Sequence, residues 1–316
     1  MAFDNIRDAA GRIEGRVLRT PLRHSAWLSS IAGADVFLKL ESLQPTFSYK
    51  VRGAFNAVLK RLEETGDRAT PLVTASAGNH GRAMAYAAKQ AGLPLTVYAP
   101  DHAPRTKLDA IGELGAELRP CRDYDEAELR AKEHGASGRA LFISPYSHPD
   151  VIAGAGTIGL ELLEDQPDLD LVIVPIGGGG LISGIATAVR GLSTRTAVIG
   201  VEVEASSPFT HGLAAGHIVT IDVGRTLADG LSGNLDPDTI TFDIVRSLVA
   251  SIMLVDETRL AEAVSGLVRV ERLIAEGAGA AATAAILNGG LPAGSRKIAA
   301  IVSGANIDPE KLKALI

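Results

Sequence analysis

The amino-acid sequence predicts an α/β fold with two lobes, each a mostly parallel sheet flanked by helices. Short runs rich in β-branched residues alternate along the chain with longer segments of helical periodicity. These runs are apolar at every position, as is typical of strands buried on both faces of a parallel sheet. The predicted strands are residues 36–38, 72–74, 95–98, 171–174, 198–201 and 298–302, and the predicted helices include 51–62, 81–91, 181–189 and 257–274.

Composition and charge restrict the class of function. The chain has 316 residues, 46% of them hydrophobic, which is enough for a large core. Its net charge of −6 argues against nucleic acid or an anionic membrane as a partner. The first 16 residues mix charged and apolar side chains without a secretory signal, so the cytoplasm is the expected location. The single cysteine, Cys121, excludes an intrachain disulfide and is expected to be a packing thiol.

The first motif in the chain surrounds Lys50, within Ser-Tyr-Lys-Val-Arg-Gly-Ala at residues 48–54. The approach to Lys50 is aromatic and poor in charge, with Phe47 and Tyr49, and partial desolvation there would keep the lysine amine neutral and nucleophilic. The alternative is an ordinary solvated helix lysine. For Arg52, a structural ion pair and a substrate contact are both open.

The second motif, Ser-Ala-Gly-Asn-His-Gly at residues 76–81, follows a predicted strand and opens a helix. Free backbone amides at a helix start suit a substrate carboxylate. Asn79 could donate to and accept from a phenolic ring oxygen. The alternatives are a helix capped by Ser76 and a packed His80 without an acid–base role. The proposed substrate-binding residues are Ser76, Ala77, Gly78, Asn79 and His80.

The third motif is four consecutive glycines at residues 177–180, at the end of an apolar run and before a helix that starts near Leu181. Amides unobstructed by side chains at a helix start form a phosphate site. No register has the glycine spacing of a dinucleotide fingerprint, and a nucleotide P-loop would need lysine at Ile185. A tight structural turn is the alternative. Pro175 and the glycines interrupt residues 171–189, so this stretch is not a membrane span.

The fourth motif, Ser-Gly-Ala-Asn at residues 303–306, also follows a predicted strand. In order, the four motifs resemble the fold type II pyridoxal-phosphate (PLP) enzymes, which are tryptophan synthase β-like, and within them the threonine/serine dehydratase and serine racemase group. Further similarity lies at residues 20–22, 39–44 and 275–280, so the resemblance spans nearly the whole chain.

The resemblance implies a role for each motif. Lys50 would bind the aldehyde of PLP and act as the catalytic base, Asn79 would contact the ring hydroxyl, and Ser303 would face the pyridine nitrogen. The phosphate would bind the amides of Gly177, Gly178, Gly179, Gly180 and Leu181. A large cofactor domain would comprise residues 1–70 and 149–316, and a small mobile domain, residues 71–148, would close over the substrate. Relatives also imply a homodimer.

The expected activity is that of a lyase. A serine opposite the pyridine nitrogen makes the ring a weaker electron sink than an aspartate would, which favours prompt loss of a β-substituent. The chain is therefore expected to remove water and ammonia from a small β-hydroxy-α-amino acid, foremost L-threonine or L-serine, and to give a 2-oxo acid. Serine racemases carry serine where Ala77 stands, so dehydration should dominate over racemisation. The chain ends soon after the fourth motif, and no regulatory domain is expected.

Other functions stay open at this point. Phe47 stands where relatives have glycine, which makes 3-hydroxyaspartate, phenylserine or a diamino acid credible substrates. A serine racemase-like enzyme, a cysteine-forming synthase and a PLP-carrying amino-acid binding protein without turnover are further alternatives, and a nicotinamide dehydrogenase is disfavoured by the glycine spacing. The family's divalent-metal site would start at Glu202, but Pro208 occupies its aspartate position, so a monovalent ion or Glu204 as ligand is the alternative.

Overall fold

The strands of the protein form two sheets in a computed structural model that describes residues 2–316. The strands are β1 Leu22–His24, β2 Asp35–Lys39, β3 Leu72–Ala75, β4 Leu95–Pro100, β5 Glu117–Cys121, β6 Leu141–Phe142, β7 Leu171–Pro175, β8 Ala197–Val203, β9 Ser251–Val255 and β10 Lys297–Ile301. The larger sheet has the order β1-β2-β10-β7-β8-β9, and the smaller has the order β5-β4-β3-β6. All pairings are parallel except β1 with β2. The predicted α/β fold is confirmed.

Thirteen α-helices occur in the described residues. They are α1 Phe3–Ile13, α2 Ala26–Ala32, α3 Lys50–Thr65, α4 Asn79–Ala91, α5 Arg105–Gly112, α6 Tyr124–Ala136, α7 Pro149–Asp165, α8 Gly180–Leu192, α9 Pro208–Ala215, α10 Thr241–Leu248, α11 Glu257–Arg269, α12 Gly277–Asn288 and α13 Pro309–Lys313. Two 3₁₀ turns lie at Glu41–Leu43 and Asp229–Leu231. None of these helices is long and apolar enough to cross a membrane.

The larger sheet is buried on both faces. Every residue of β7 is buried, which explains its unbroken apolar run. Helix α12 covers one face, and its many alanines and glycines let it pack closely on the strands. Helices α7 and α8 cover the other face with a second apolar cluster.

The smaller sheet shares a core with a helix that precedes it in the chain. Val51 and Phe55 of α3 pack in one cluster with Leu72 of β3 and Met84 of α4. Helix α3 also packs closely on α7. A Cβ atom added to Gly53 would lie only 2.6 Å from the carbonyl oxygen of Val151, so the close contact requires glycine. The lysine at the start of α3 therefore lies at the junction of the two sheets.

Two details differ from the sequence-based expectation. Helix α11 ends at Arg269, so the predicted extension to residue 274 is wrong. The chain turns there because Arg272 adopts a left-handed conformation with φ of 58°, and no glycine or proline marks the turn. Strands β1, β5, β6 and β9 were not predicted. They are the four edge strands of the two sheets, and each has exposed or partly exposed residues.

Three of the four motifs follow strand ends, as predicted. Ser76 comes directly after β3, Gly177 comes two residues after β7, and Ser303 comes two residues after β10. Since β7 and β10 are parallel neighbours, the motifs that follow them lie side by side at the carboxyl end of the larger sheet. The candidate site is therefore at the carboxyl ends of the strands, where open α/β sheets bind ligands.

Candidate functional site

Lys50 is the first residue of α3, and its amine is held by the backbone of a distant segment. Its Nζ donates a hydrogen bond of 2.7 Å to the carbonyl oxygen of Pro145, in the loop between β6 and α7. The side chain is half-buried, and desolvation lowers its pKa to about 8. A larger fraction of this amine is neutral at physiological pH than for an exposed lysine, which is what a nucleophile needs.

The segment before Lys50 is hydrogen-bonded to the fourth motif. The amide of Tyr49 donates to the carbonyl of Ser303 at 3.0 Å, and the amide of Ala305 donates to the carbonyl of Phe47 at 2.8 Å. The Ser303 side chain is buried, and its hydroxyl lies 3.4 Å from the carbonyl oxygen of Ala278 at the start of α12. The structure thus brings the first and fourth motifs together.

Asn79 connects the second motif to the fourth. Its Nδ2 donates to Glu276 Oε1 at 2.5 Å, and its Oδ1 accepts from Asn306 Nδ2 at 2.6 Å. Burial raises the pKa of Glu276, an effect that the hydrogen bond from Asn79 opposes. The amide side chain is therefore fixed in orientation by partners on both sides.

The other residues of the second motif have distinct environments. Ser76 Oγ accepts from the amide of Gly78 at 3.1 Å, and Gly78 rather than Ser76 is the N-cap residue of α4. Ala77 is buried, so its methyl group contributes no donor or acceptor. The first amides of α4, beginning at Asn79, have no acceptor inside the helix and remain available for an anion.

His80 is buried beside the lysine. Within residues 2–316, neither ring nitrogen has a hydrogen-bond partner. Desolvation first, and then the charge of Lys50, hold the pKa of His80 well below its ordinary value. The imidazole is neutral at physiological pH, which agrees with the interpretation of a packed neighbour.

The four glycines are each required by close packing. A Cβ atom on Gly178 would overlap the ring of Tyr146, and one on Gly180 would lie 2.9 Å from the Tyr146 carbonyl oxygen. Gly179 has φ of 83°, a left-handed conformation that favours glycine. A Cβ atom on Gly177 would lie 2.9 Å from the carbonyl oxygen of Gly230. A tight structural turn and a phosphate site are thus compatible interpretations of the four glycines. The turn leaves the first amides of α8 without an acceptor inside the helix, so these amides can bind an anion.

The segment Pro145–Tyr146 joins the lysine to the glycine motif. Pro145 accepts the Lys50 hydrogen bond, and the next residue places its ring on Gly178. The Tyr146 hydroxyl accepts from the amide of Asp236 at 3.0 Å, which fixes the ring. Sequence reasoning missed this segment, since residues 145 and 146 belong to none of the four motifs and make their contacts with residues far along the chain.

A cavity of about 390 Å³ opens next to this site. Ala77, Asn79, Arg82 and Glu276 contribute to its walls. The guanidinium of Arg82 lies 5.0 Å from the centre of the Phe47 ring and donates to Asn306 Oδ1 at 2.7 Å. Arg82 was not singled out from the sequence, and Glu276 entered only as part of the similarity at residues 275–280, without a role of its own.

Arg52 forms a buried ion-pair network. Its Nη2 lies 2.8 Å from Glu41 Oε1, and its Nη1 lies 2.6 Å from Glu161 Oε1. Burial opposes ionisation of Glu41, but the charges of Arg52 and Lys39 outweigh it and hold the pKa of Glu41 below its ordinary value. All the contacts of Arg52 are internal, which favours the structural ion pair over the substrate contact left open by the sequence.

Glu202 lies on β8 away from any cluster of metal ligands. Its carboxylate accepts from the amides of Phe209 and Thr210 at the start of α9. Within the described residues 2–316, no group of three or more His, Cys, Asp or Glu side chains is placed to hold a metal ion. Glu204, the alternative ligand considered from the sequence, is exposed.

Comparison with known proteins agrees with this geometry. The family profile described as "Pyridoxal-phosphate dependent enzyme" matches residues 13–304, which is nearly the whole chain. The chain belongs to the pyridoxal-phosphate dependent enzymes. As a PLP enzyme, it is 38% identical to the L-threonine ammonia-lyase of Thermotoga maritima over 100% of this chain and 78% of the relative. It is also 38% identical to the catabolic L-threonine dehydratase of Escherichia coli, over 100% of this chain and 96% of the relative.

Solved structures of PLP enzymes match the fold closely. The processed form of threonine deaminase isoform 2 from Solanum lycopersicum superposes with a TM-score of 0.91 at 31% identity, covering 99% of this chain and 92% of that chain. Maize serine racemase superposes with a TM-score of 0.92 at 33% identity, covering 99% of this chain and 96% of that chain. The resemblance inferred from the four motifs is confirmed at the level of the family.

The residues of this PLP enzyme fit the cofactor. An aldehyde requires a neutral amine, and the lowered pKa of Lys50 supplies one. A phosphate requires unpaired donors, and the start of α8, stripped of side chains by the glycines, offers them. When bound, PLP withdraws electrons from the α-carbon of an amino acid.

Proposed function

We propose that this PLP enzyme is an ammonia-lyase that removes water and ammonia from a small β-hydroxy-α-amino acid, foremost L-threonine or L-serine. The observation that carries the proposal is the desolvated amine of Lys50, held at the Pro145 carbonyl in the same site as the glycine motif. Two relatives that match the whole of this chain are named threonine ammonia-lyase and threonine dehydratase, and these names support the same class of reaction.

Each site residue has a proposed role. Lys50 would hold the PLP aldehyde and would take the α-proton of the bound amino acid. The amides of residues 77–80 bind the substrate carboxylate, with Ser76 shaping the loop. Asn79 would contact the ring hydroxyl of PLP, and Ser303 would face its pyridine nitrogen. The phosphate-binding residues are Gly177, Gly178, Gly179, Gly180 and Leu181.

The proton inventory of the reaction suits Lys50. A general base works best when its pKa lies near the operating pH, and burial lowers the pKa of this lysine to about 8. The β-hydroxyl would leave as water with one proton, which balances the one proton that Lys50 takes from the α-carbon. The enamine that is released would then take up water to give a 2-oxo acid and ammonia. Neutral His80 beside Lys50 adds no second positive charge that would hinder proton uptake by the amine.

A substrate panel tests this proposal. Wild type and Lys50→Ala would each be loaded with PLP and supplied with L-threonine, L-serine, 3-hydroxyaspartate and phenylserine. We expect wild type to show the absorption band of lysine-bound cofactor and to release oxo acid and ammonia in equal amounts. Lys50→Ala should lack both the band and the activity. Spectral changes without product would instead indicate a binding protein, and D-serine formed faster than oxo acid would indicate a racemase.

A second candidate is a dehydratase for 3-hydroxyaspartate. Arg82 lines the cavity next to Asn79, and no carboxylate in residues 2–316 forms an ion pair with it. A guanidinium without an acidic partner suits an acidic substrate side chain. Turnover of 3-hydroxyaspartate that is at least about tenfold better than that of L-threonine in wild type, and lost in Arg82→Gln, would favour this candidate.

We also propose that the enzyme is a cytoplasmic homodimer. The resemblance to dehydratases implies the dimer. Sedimentation equilibrium of the PLP-loaded protein would give twice the chain mass of 32.8 kDa if the assembly is correct.

A further inference from the structure

Glu202 is a fully buried carboxylate whose partners all come from the start of one helix. Its Oε1 accepts from the amide of Phe209 at 2.9 Å. Its Oε2 accepts from the amide of Thr210 at 2.8 Å and from the Thr210 hydroxyl at 2.6 Å. These donors belong to the first turn of α9, where the helix dipole favours a negative charge.

Helix α9, which is held by Glu202, packs against the glycine motif. Phe209, the second residue of α9, has 0% exposure, and a Cβ atom on Gly179 would lie 2.6 Å from its Cζ. Phe209 also stacks on Phe242 of α10, with ring centres 6.2 Å apart. Next to it, Thr241 Oγ1 donates to the carbonyl of Gly178 at 2.8 Å. A contiguous path therefore leads from Glu202 through α9 to the turn that presents the phosphate-binding amides.

The same contacts do not fit a divalent cation. A hard cation needs about six or more oxygen ligands. The Glu202 oxygens already accept three hydrogen bonds from α9, and Pro208 stands where the family resemblance would place an aspartate ligand. Pro208 is instead the first residue of α9, where its fixed φ favours the helix start. Glu204 is exposed and would have to rearrange in order to reach Glu202.

We propose that Glu202 is a positioning residue for the PLP phosphate loop and not a metal ligand. The donors at the start of α9 occupy the Glu202 carboxylate, which the resemblance would assign to a cation. By binding the start of α9, Glu202 holds Phe209 against Gly179. This inference rests on the PLP site within the proposed function but not on the identity of the substrate.

The test compares Glu202→Gln with Glu204→Gln, a control at an exposed residue that directly follows the end of β8. PLP affinity is measured by absorption titration of apoprotein, without substrate. We expect Glu202→Gln to weaken PLP binding about tenfold or more, because it weakens charge-assisted hydrogen bonds to α9. Glu204→Gln should bind PLP like wild type. At saturating PLP, the kcat of Glu202→Gln should stay within about threefold of wild type, since the residue touches no reacting atom.

Thr210→Val provides a milder variant if Glu202→Gln does not fold. It removes one hydroxyl donor and keeps the shape of the side chain, so we expect a roughly threefold to tenfold weaker PLP affinity in a folded protein. PLP affinity of wild type after EDTA dialysis should not change when millimolar Mg²⁺ is added.

Two results would overturn the inference. One is a stoichiometric divalent ion that is bound to wild type and lost in Glu202→Gln. The other is equal PLP affinity in wild type, Glu202→Gln and Thr210→Val. Failure of wild type itself to bind PLP would instead overturn the proposed function, so the two failures are distinguishable.

Discussion

The amine of Lys50 lies 2.7 Å from the carbonyl oxygen of Pro145, although the two residues are 95 positions apart in the sequence. The following residue, Tyr146, packs its ring on Gly178. A single short segment therefore sets both the position of the amine and the shape of the phosphate-binding turn. Movement of this segment would change the two functions together.

The pH dependence of cofactor capture should follow Lys50. Only the neutral amine attacks an aldehyde, and burial lowers the pKa of Lys50 from 10.5 to about 8. The rate at which apoenzyme captures PLP should therefore rise with pH and reach half its maximum near pH 8. Stopped-flow absorbance across about pH 6 to 11 measures this midpoint. The exposed reference is Nα-acetyl-lysine, whose ε-amine is free. A midpoint for the protein equal to that of the reference would contradict the desolvation of Lys50.

Gly178→Ala should damage the phosphate site. Its added methyl group would overlap the Tyr146 ring, so either the ring or the turn must shift. We expect PLP affinity to fall by about tenfold or more and stability to fall by roughly 1–3 kcal/mol. Titration with PLP and denaturant unfolding measure the two effects. The control is Gly11→Ala in α1, where an added methyl group meets no neighbouring atom within 4 Å and a helix-favouring residue should stabilise by about 0.5–1 kcal/mol.

Arg52→Ala should lower stability more than it alters substrate choice. The substitution would leave the buried carboxylate of Glu41 without its main partner, which costs roughly 3–5 kcal/mol. The exposed Arg19, which pairs with Glu164 and Asp165, is the matched control, and Arg19→Ala should cost less than about 1 kcal/mol. Urea unfolding of both variants provides the comparison. Unchanged stability of Arg52→Ala, together with a changed ranking of substrates, would restore the substrate role for Arg52.

Asn79→Asp should weaken cofactor binding more than Asn79→Ala. A carboxylate at this position would face Glu276 across a contact that is now a hydrogen bond of 2.5 Å. Two like charges so close disfavour one another, so the pKa of Glu276, already raised by burial, should rise further. The deficit in PLP affinity of Asn79→Asp relative to Asn79→Ala should grow with pH as both carboxylates ionise. Parallel titrations with PLP at about pH 6 and pH 9 would show whether it does.

Much of the fold and the site could be predicted from local patterns. The apolar run of β7 and the glycines after it predicted a strand followed by an open helix start, because the local backbone dictates both. The end of α11 could not be predicted, since a left-handed Arg272 leaves no local pattern. Edge strand β9 was missed because a short apolar run does not by itself distinguish a strand from a helical segment. Asn79 was identified by its motif, but its partner Glu276 lies 197 residues away in the sequence.

The sequence by itself determined the fold class, the lysine and the glycine turn, and through the order of four motifs it indicated the family. These features depend on residue type and local spacing, which a sequence displays directly. Only the tertiary structure decided that Pro145 accepts a hydrogen bond from Lys50 and that the ring of Tyr146 packs on Gly178. It also decided that Arg52 forms internal ion pairs and that the amides of α9 donate to Glu202. Each of these depends on which distant residues meet when two sheets pack together, and on how much water that packing excludes.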